Sequence, residues 1–154
     1  MSTAHLLDRH PLLSRMTAPQ IERIAAAGEL EQFHPGEEIV SEGSLGDALY
    51  LVLTGQVEVS KHGHPLASLT PGEFFGEMSL VEPAPRSATV LAVEESFVFR
   101  LPYFALQNLL EQDPIAFNAV LVQVVKTLSE RLRRANQTLS SVGELADWLA
   151  GSLV

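Results

Sequence analysis

The segment FFGEMSLVEPAPRSATV, residues 74–90, sets a carboxylate, Glu77, and a guanidinium, Arg86, in a run dominated by small, apolar and proline residues. Arg86 offers a planar fork of donors, a geometry lysine lacks, that fits a carboxylate or a phosphate. Glu77, when ionised, can only accept hydrogen bonds. Two Gly-Glu pairs frame the problem, Gly72-Glu73 and Gly76-Glu77. On chemistry alone two readings stand level. Glu77 and Arg86 form a structural ion pair, whose desolvation offsets most of its attraction, or each meets a ligand.

The elements around this segment follow from pattern. TAPQIERIAAAG predicts a short amphipathic helix, with Thr17 as N-cap, Pro19 in the first turn, Gln20 in the capping-box position and Gly28 at the end. From Glu31 to about Leu101 the period changes to two. QVEVS alternates, ALYLVL is a mostly buried run, and SATVLAV and SFVFRL are rich in β-formers. Glycines punctuate this zone, and TG at 54–55 and HG at 62–63 suggest hairpin connections. Many short strands with glycine turns predict a barrel or sandwich-like β-unit. The helical period then returns. YFALQNLLEQ is one short helix, and Asp113-Pro114 opens a longer one as N-cap and N1. In that helix Leu121, Val125, Leu128, Leu132, Ala135, Leu139 and Val142 alternate spacings of four and three, a seam that calls for a partner helix, most simply a second copy.

In this setting residues 74–90 resemble the phosphate-binding cassette of the cyclic nucleotide-binding domain family, through Gly76, Glu77, Leu80, Pro85, Arg86, Ser87, Ala88 and Thr89. FHPGEEIVSEGSLGDALYLVLTGQVEV is similar to the family's opening strands, including Gly46-Asp47 and Gly55. The resemblance runs from about Leu12 to Val142 and is strongest to the catabolite activator protein-like branch. It implies an α+β fold: an antiparallel β-roll or jelly-roll barrel with N-terminal helices, a short cassette helix and a long C-terminal helix. As a single domain, 1–154 divides into a helical segment 1–30, a β-roll 31–101 carrying the cassette, helices 103–142 and a tail 143–154.

The resemblance also assigns roles. Arg86 takes the cyclic phosphate and Glu77 the ribose 2′-OH. A cyclic phosphate is a monoanion without a terminal phosphoryl group, so it needs neither Mg²⁺ nor a P-loop lysine. Gly76 lets the backbone come close, and the N–H groups of a short turn through Met78 and Ser79 add a positive dipole end. The Ser87 hydroxyl and Ala88 N–H complete the phosphate shell. The long helix of this family caps the purine, and TLSSVGELA is similar to the helix end where a threonine contacts adenine in the transcription-factor branch. Thr138 is the position that lines up, with Asn136 beside it; both are otherwise solvated flank residues. A cGMP-selective cassette tends to carry threonine after the arginine, whereas Arg-Ser-Ala goes with cAMP. The expected ligand is therefore cAMP ahead of cGMP.

Composition bounds the rest. A net charge of −9 argues against a surface that coats nucleic acid, and the absence of cysteine excludes disulfides and thiolate metal sites. The N-terminus lacks a signal-peptide pattern and no run reaches membrane-spanning length, so a cytoplasmic location is expected. His62 and His64 flank Gly63 as a hairpin tip, with no third metal ligand apparent. Arg131 to Arg134 reads as a solvated helix face, and Leu145, Trp148 and Leu149 share helical spacing in the tail. No nucleophile–base set marks an enzyme. A helix-turn-helix module has no room before Val154, so the expectation is a stand-alone receptor that needs no cofactor. It would signal through its C-terminal helix to an unknown effector protein or across a homodimer, with neither nucleic acid nor membrane as partner. A degenerate domain kept for protein interaction is the alternative; an enzyme acting on a cyclic or sugar phosphate is a third.

Overall fold

The computed structural model describes residues 2–81 and 84–152, without the side chains of Ser79, Val81 and Ser152. Cassette positions 82 and 83 and the last two residues of the tail lie outside that description. Contacts divide the chain into two compact units, one up to Val120 and one from Leu121 onward.

The first unit opens with α1 (Thr3–Leu7), a 3-10 turn at Pro11–Leu13, and α2 (Ala18–Ala27). The capping box at α2 forms as its sequence predicts: Gln20 N–H donates to the Thr17 hydroxyl at 3.4 Å, and Thr17 N–H donates to the Gln20 side chain at 2.9 Å. Gly28 ends α2 in extended backbone. It is required by space, because a Cβ there would lie 2.5 Å from both the Arg100 carbonyl oxygen and the Phe99 ring.

Among the described residues eight strands follow as two four-stranded antiparallel sheets. They are β1 (Glu29–Phe33), β2 (Glu38–Val40), β3 (Ala48–Thr54), β4 (Val57–Lys61), β5 (His64–Leu69), β6 (Phe74–Phe75), β7 (Thr89–Ala92) and β8 (Ser96–Pro102). One sheet runs β1-β8-β3-β6 and the other β2-β7-β4-β5. Ala48, Tyr50, Val52, Val57, Leu69, Phe75, Val90 and Val98 form one buried cluster drawn from both sheets. Leu49 and Leu51 alternate with those β3 residues and are equally buried, while α2 and α4 (Tyr103–Gln112) pack on the neighbouring β8. Cover on both faces is why ALYLVL reads as a continuous apolar run. The α+β β-roll with helical flanks is the fold expected from the sequence.

Two local readings are corrected. The TG pair at 54–55 does not join a hairpin, because β3 and β4 belong to different sheets. Gly55, at φ 86°, carries the chain across instead, and a Cβ there would meet Ser96 Oγ at 2.2 Å and the Glu95 carbonyl oxygen at 2.4 Å. QVEVS does not alternate cleanly either. Val57 and Ser60 are buried and Glu58 and Val59 half-buried, because the β4–β5 register shifts between Val59 and Ser60. The HG pair does turn the β4–β5 hairpin, with His62 at φ 51° and Gly63 at φ 78°, the conformation of a type I′ turn. His62 N–H donates to the Glu42 carboxylate at 3.2 Å.

After α4, Asp113 caps α5 (Pro114–Ser152) by accepting from Ala116 N–H at 3.1 Å. Gln20, Arg23 and Ala116 donate to this carboxylate and hold Asp113 below its usual range, the Ala116 N–H contributing most. Residues 143–152, set apart as a tail by sequence, continue α5 without a break. Among the described residues no helix is long and apolar enough to cross a membrane.

Gly55 and Gly36 separate backbone strain from packing. Gly36 has φ 88°, and a Cβ there would have no neighbour within 4 Å, so Gly36→Ala should cost about 1 kcal/mol from conformation alone. Gly55→Ala adds a collision and should cost clearly more, measured by urea unfolding of the two variants.

Candidate functional site

The site is built on the junction of β3 and β6. β6 pairs with β3 through Tyr50–Phe75 and Leu51–Phe74, and the Tyr50 and Phe75 rings stack at 4.9 Å. Directly after β6 the chain turns at Gly76, with φ 90°, into Glu77 and the four-residue α3 (Met78–Val81). Leu80 N–H donates to the Glu77 carbonyl at 3.1 Å. Met78 is exposed, Glu77 half-buried, Ser87 exposed and Ala88 half-buried. The Ser79 side chain lies outside the described residues.

Arg86 returns to this turn from the far side of the cassette. Its backbone N–H donates to the Ser44 carbonyl at 2.7 Å, its carbonyl accepts from Gly43 N–H at 2.8 Å, and Pro85 bridges Leu45. Arg86 is only 9% exposed. Nη2 donates to the Ala48 carbonyl at 3.2 Å, and the guanidinium carbon lies 5.7 Å from the centroid of the Tyr50 ring. A carbonyl and a π-face are favourable but neutral partners for a cation. No buried side-chain nitrogen or oxygen among the described residues lacks a hydrogen-bond partner, so the remaining Arg86 donors reach accessible space.

Gly76 and Arg86 are brought together tightly. A Cβ on residue 76 would lie 2.6 Å from the Ala48 carbonyl oxygen and 2.8 Å from Arg86 Nη1. Glycine therefore meets two demands, the positive φ and the closeness of the guanidinium. The other Gly-Glu pair acts locally. Its Glu73 carboxylate accepts from Thr70 N–H at 2.8 Å and closes the turn before β6.

Further contacts brace this turn and the Tyr50 ring. Tyr103, the first residue of α4, donates its hydroxyl to the Gly76 carbonyl. A trans peptide points its C=O and N–H in opposite directions, so this bond also aims the Glu77 N–H. Asp47 pairs with Arg100 at 2.9 Å, and the Arg100 charge acts on the Tyr50 hydroxyl. Burial is the largest influence on the Tyr50 hydroxyl and raises its pKa. His10, 3% exposed, lies against the Glu73 carbonyl with Nε2 at 3.1 Å. His10-Pro11 carries a faint N-cap signature in sequence; nothing local marks Tyr103.

Asn136 and Thr138 belong to the second unit. Both are exposed on α5, and the Thr138 hydroxyl donates to the Arg134 carbonyl at 3.1 Å, leaving its oxygen lone pairs as acceptors.

Residues 30–113, more than half of the chain, match the family described as cyclic nucleotide-binding domain. The chain belongs to the cyclic nucleotide-binding domain family. It is 37% identical over 108 residues to a cAMP-dependent protein kinase regulatory subunit of Pyricularia oryzae, a match that covers 69% of this chain and 28% of that protein. The crystal structure of the Thermus thermophilus catabolite activator protein is similar with a TM-score of 0.72 and 31% identity, covering 86% of this chain and 63% of that one. A putative cyclic nucleotide-binding protein from Geobacter metallireducens GS-15 is similar with a TM-score of 0.74 and 26% identity, covering 86% and 99%. The chain spans about a quarter of the length of the kinase regulatory subunits it matches, 28% and 23% for two of them.

The geometry at residue 76 yields a test. Gly76→Ala forces a methyl between Ala48 and Arg86 at positive φ. It should destabilise the fold by about 1–3 kcal/mol and displace the guanidinium. Urea unfolding measures the first effect, and the Arg86 Nε–H resonance reports the second.

Proposed function

We propose that this domain is a receptor for a cyclic purine nucleotide, cAMP in preference to cGMP, and that it signals through α5 to an effector or across a homodimer. The observation that carries the reading is Arg86, a buried cation whose side-chain partners among the described residues are a carbonyl and a π-face, packed against Gly76. A cyclic phosphate monoanion suits this guanidinium through short, charge-assisted hydrogen bonds. Glu77, on the same turn, is the acceptor for the ribose 2′-OH. The N–H groups of Met78 and Ser79, with Ser87 and Ala88, complete the polar shell.

Ser87 rather than threonine after the arginine supports cAMP, as do relatives named cAMP-dependent protein kinase regulatory subunits. Asn136 and Thr138 are the base-reading residues of this proposal, through side-chain oxygens that can accept from the adenine 6-amino group. One hydrogen bond exchanged against water contributes about 1 kcal/mol, a few-fold preference. The domain itself carries no catalytic step in this reading.

The homodimer part rests on α5. Val125, Leu132 and Leu139 are 63%, 62% and 69% exposed, an apolar seam at coiled-coil spacing. Because the helix continues past Gly143, the same spacing extends to Ala146 and Leu149.

Calorimetric titration with cAMP and cGMP tests the receptor directly. Arg86→Leu should weaken cAMP binding by a few kcal/mol, roughly a hundredfold or more, and Glu77→Gln by less, since a neutral acceptor remains. Thr138→Ala should narrow the gap between the two nucleotides. A folded Arg86→Leu variant that binds like wild type would refute the assignment.

Assembly has a separate readout. Wild type should scatter light as a dimer, and Leu128→Glu with Leu132→Glu should give folded monomers. A wild-type monomer at high concentration contradicts the dimer.

A further inference from the structure

His10 is a buried imidazole with both ring nitrogens engaged. Nδ1 accepts from Leu12 N–H at 3.1 Å, which caps the 3-10 turn. With that lone pair committed, the proton resides on Nε2 and is donated to the Glu73 carbonyl at 3.1 Å. The same carbonyl accepts from Val52 N–H of β3 at 2.9 Å, and Pro11 lies 3.5 Å from where a Gly72 Cβ would be. The N-terminal segment is thus fastened to the turn from Thr70 to Glu73. Only Phe74 and Phe75 separate that turn from Gly76, and β6, the strand they form, is two residues long. So short a strand has little rigidity of its own, and its position depends on what holds its ends.

We propose that His10 is a positioning residue for the nucleotide site, setting β6 and hence Gly76 and Glu77, and that protonating its ring lowers nucleotide affinity. The proposal rests on the receptor reading given above. A proton on Nδ1 would set two N–H groups against each other at Leu12, so the ring cannot charge without leaving its seat. Burial, the larger influence, lowers the His10 pKa, and the Glu73 carbonyl partly opposes it. No charged side chain among the described residues contributes to that shift. On its own segment Asp8 faces His5 at 3.9 Å, and on the facing turn the Glu73 carboxylate is bound to Thr70. Because the folded pKa is depressed, the contact's contribution is fully present above the ordinary histidine range, about pH 6.5. It is lost as pH falls through that range toward the lower folded value, because the unfolded chain takes up the proton first.

The test compares cAMP affinity of the full chain at about pH 8 and about pH 6 for wild type, His10→Gln and His10→Asn, with fold checked by circular dichroism. Asparagine can still cap Leu12 N–H but cannot reach Glu73; glutamine can donate to the Glu73 carbonyl and does not titrate. Wild type should lose affinity on acidification, by no more than about fourfold at pH 6, because a ring whose pKa is lowered from 6.5 is not fully charged there. His10→Gln should bind near wild type at the higher pH with no such slope. His10→Asn should be roughly five- to tenfold weaker at the higher pH, and in the free protein the amides of residues 74–77 should exchange faster while those of the β4–β5 hairpin do not. Wild-type affinity from His10→Asn, or an unchanged pH slope in His10→Gln, overturns the proposal. If His10→Asn fails to fold, the slope of wild type against His10→Gln decides alone. Absence of nucleotide binding by wild type at the higher pH instead overturns the receptor reading, and this proposal with it.

Discussion

A mostly buried guanidinium, set among the described residues on a carbonyl and a π-face, constrains the first unit. Removing a cation from water costs several kcal/mol even after relaxation, and the Ala48 carbonyl and Tyr50 ring return only part of that. Each neighbour of Arg86 is fixed in turn. Tyr50 stacks on Phe75 inside the inter-sheet cluster, and its hydroxyl meets Arg100, which is anchored by Asp47. The stable core and Arg86 therefore share side chains.

The turn itself has little internal support, since β6 and α3 hold two and four residues. Besides its pairing with β3, it is held at two carbonyls, Glu73 by His10 and Gly76 by Tyr103. One hold comes from the segment before the β-roll and the other from the first residue of α4.

Local chemistry is legible in the sequence, and long-range pairing is not. Thr17 with Gln20 and Asp113 before Pro114 act through neighbours a few residues away, and each does what its type predicts. Gly55 is a turn, as its type suggests, but not a hairpin, because positive φ says nothing about which sheet receives the next strand. The bulge at Val59–Ser60 breaks an alternation that residue types alone suggest. Gly143 looks like a helix end in sequence, yet one glycine costs a helix only about 1 kcal/mol, and α5 runs on to 39 residues. Arg86 and Glu77 stand out as charges in an apolar run. His10 and Tyr103 do not, because their partners are backbone carbonyls 63 and 27 residues away.

A crystal structure of the chain with cAMP bound examines the central claim most directly. Phosphate oxygens are expected about 2.7–2.9 Å from the Arg86 guanidinium, with the ribose 2′-OH on Glu77 and the Tyr50 ring still beneath the cation. A nucleotide bound with its phosphate elsewhere, and Arg86 unchanged on the Ala48 carbonyl, would contradict it.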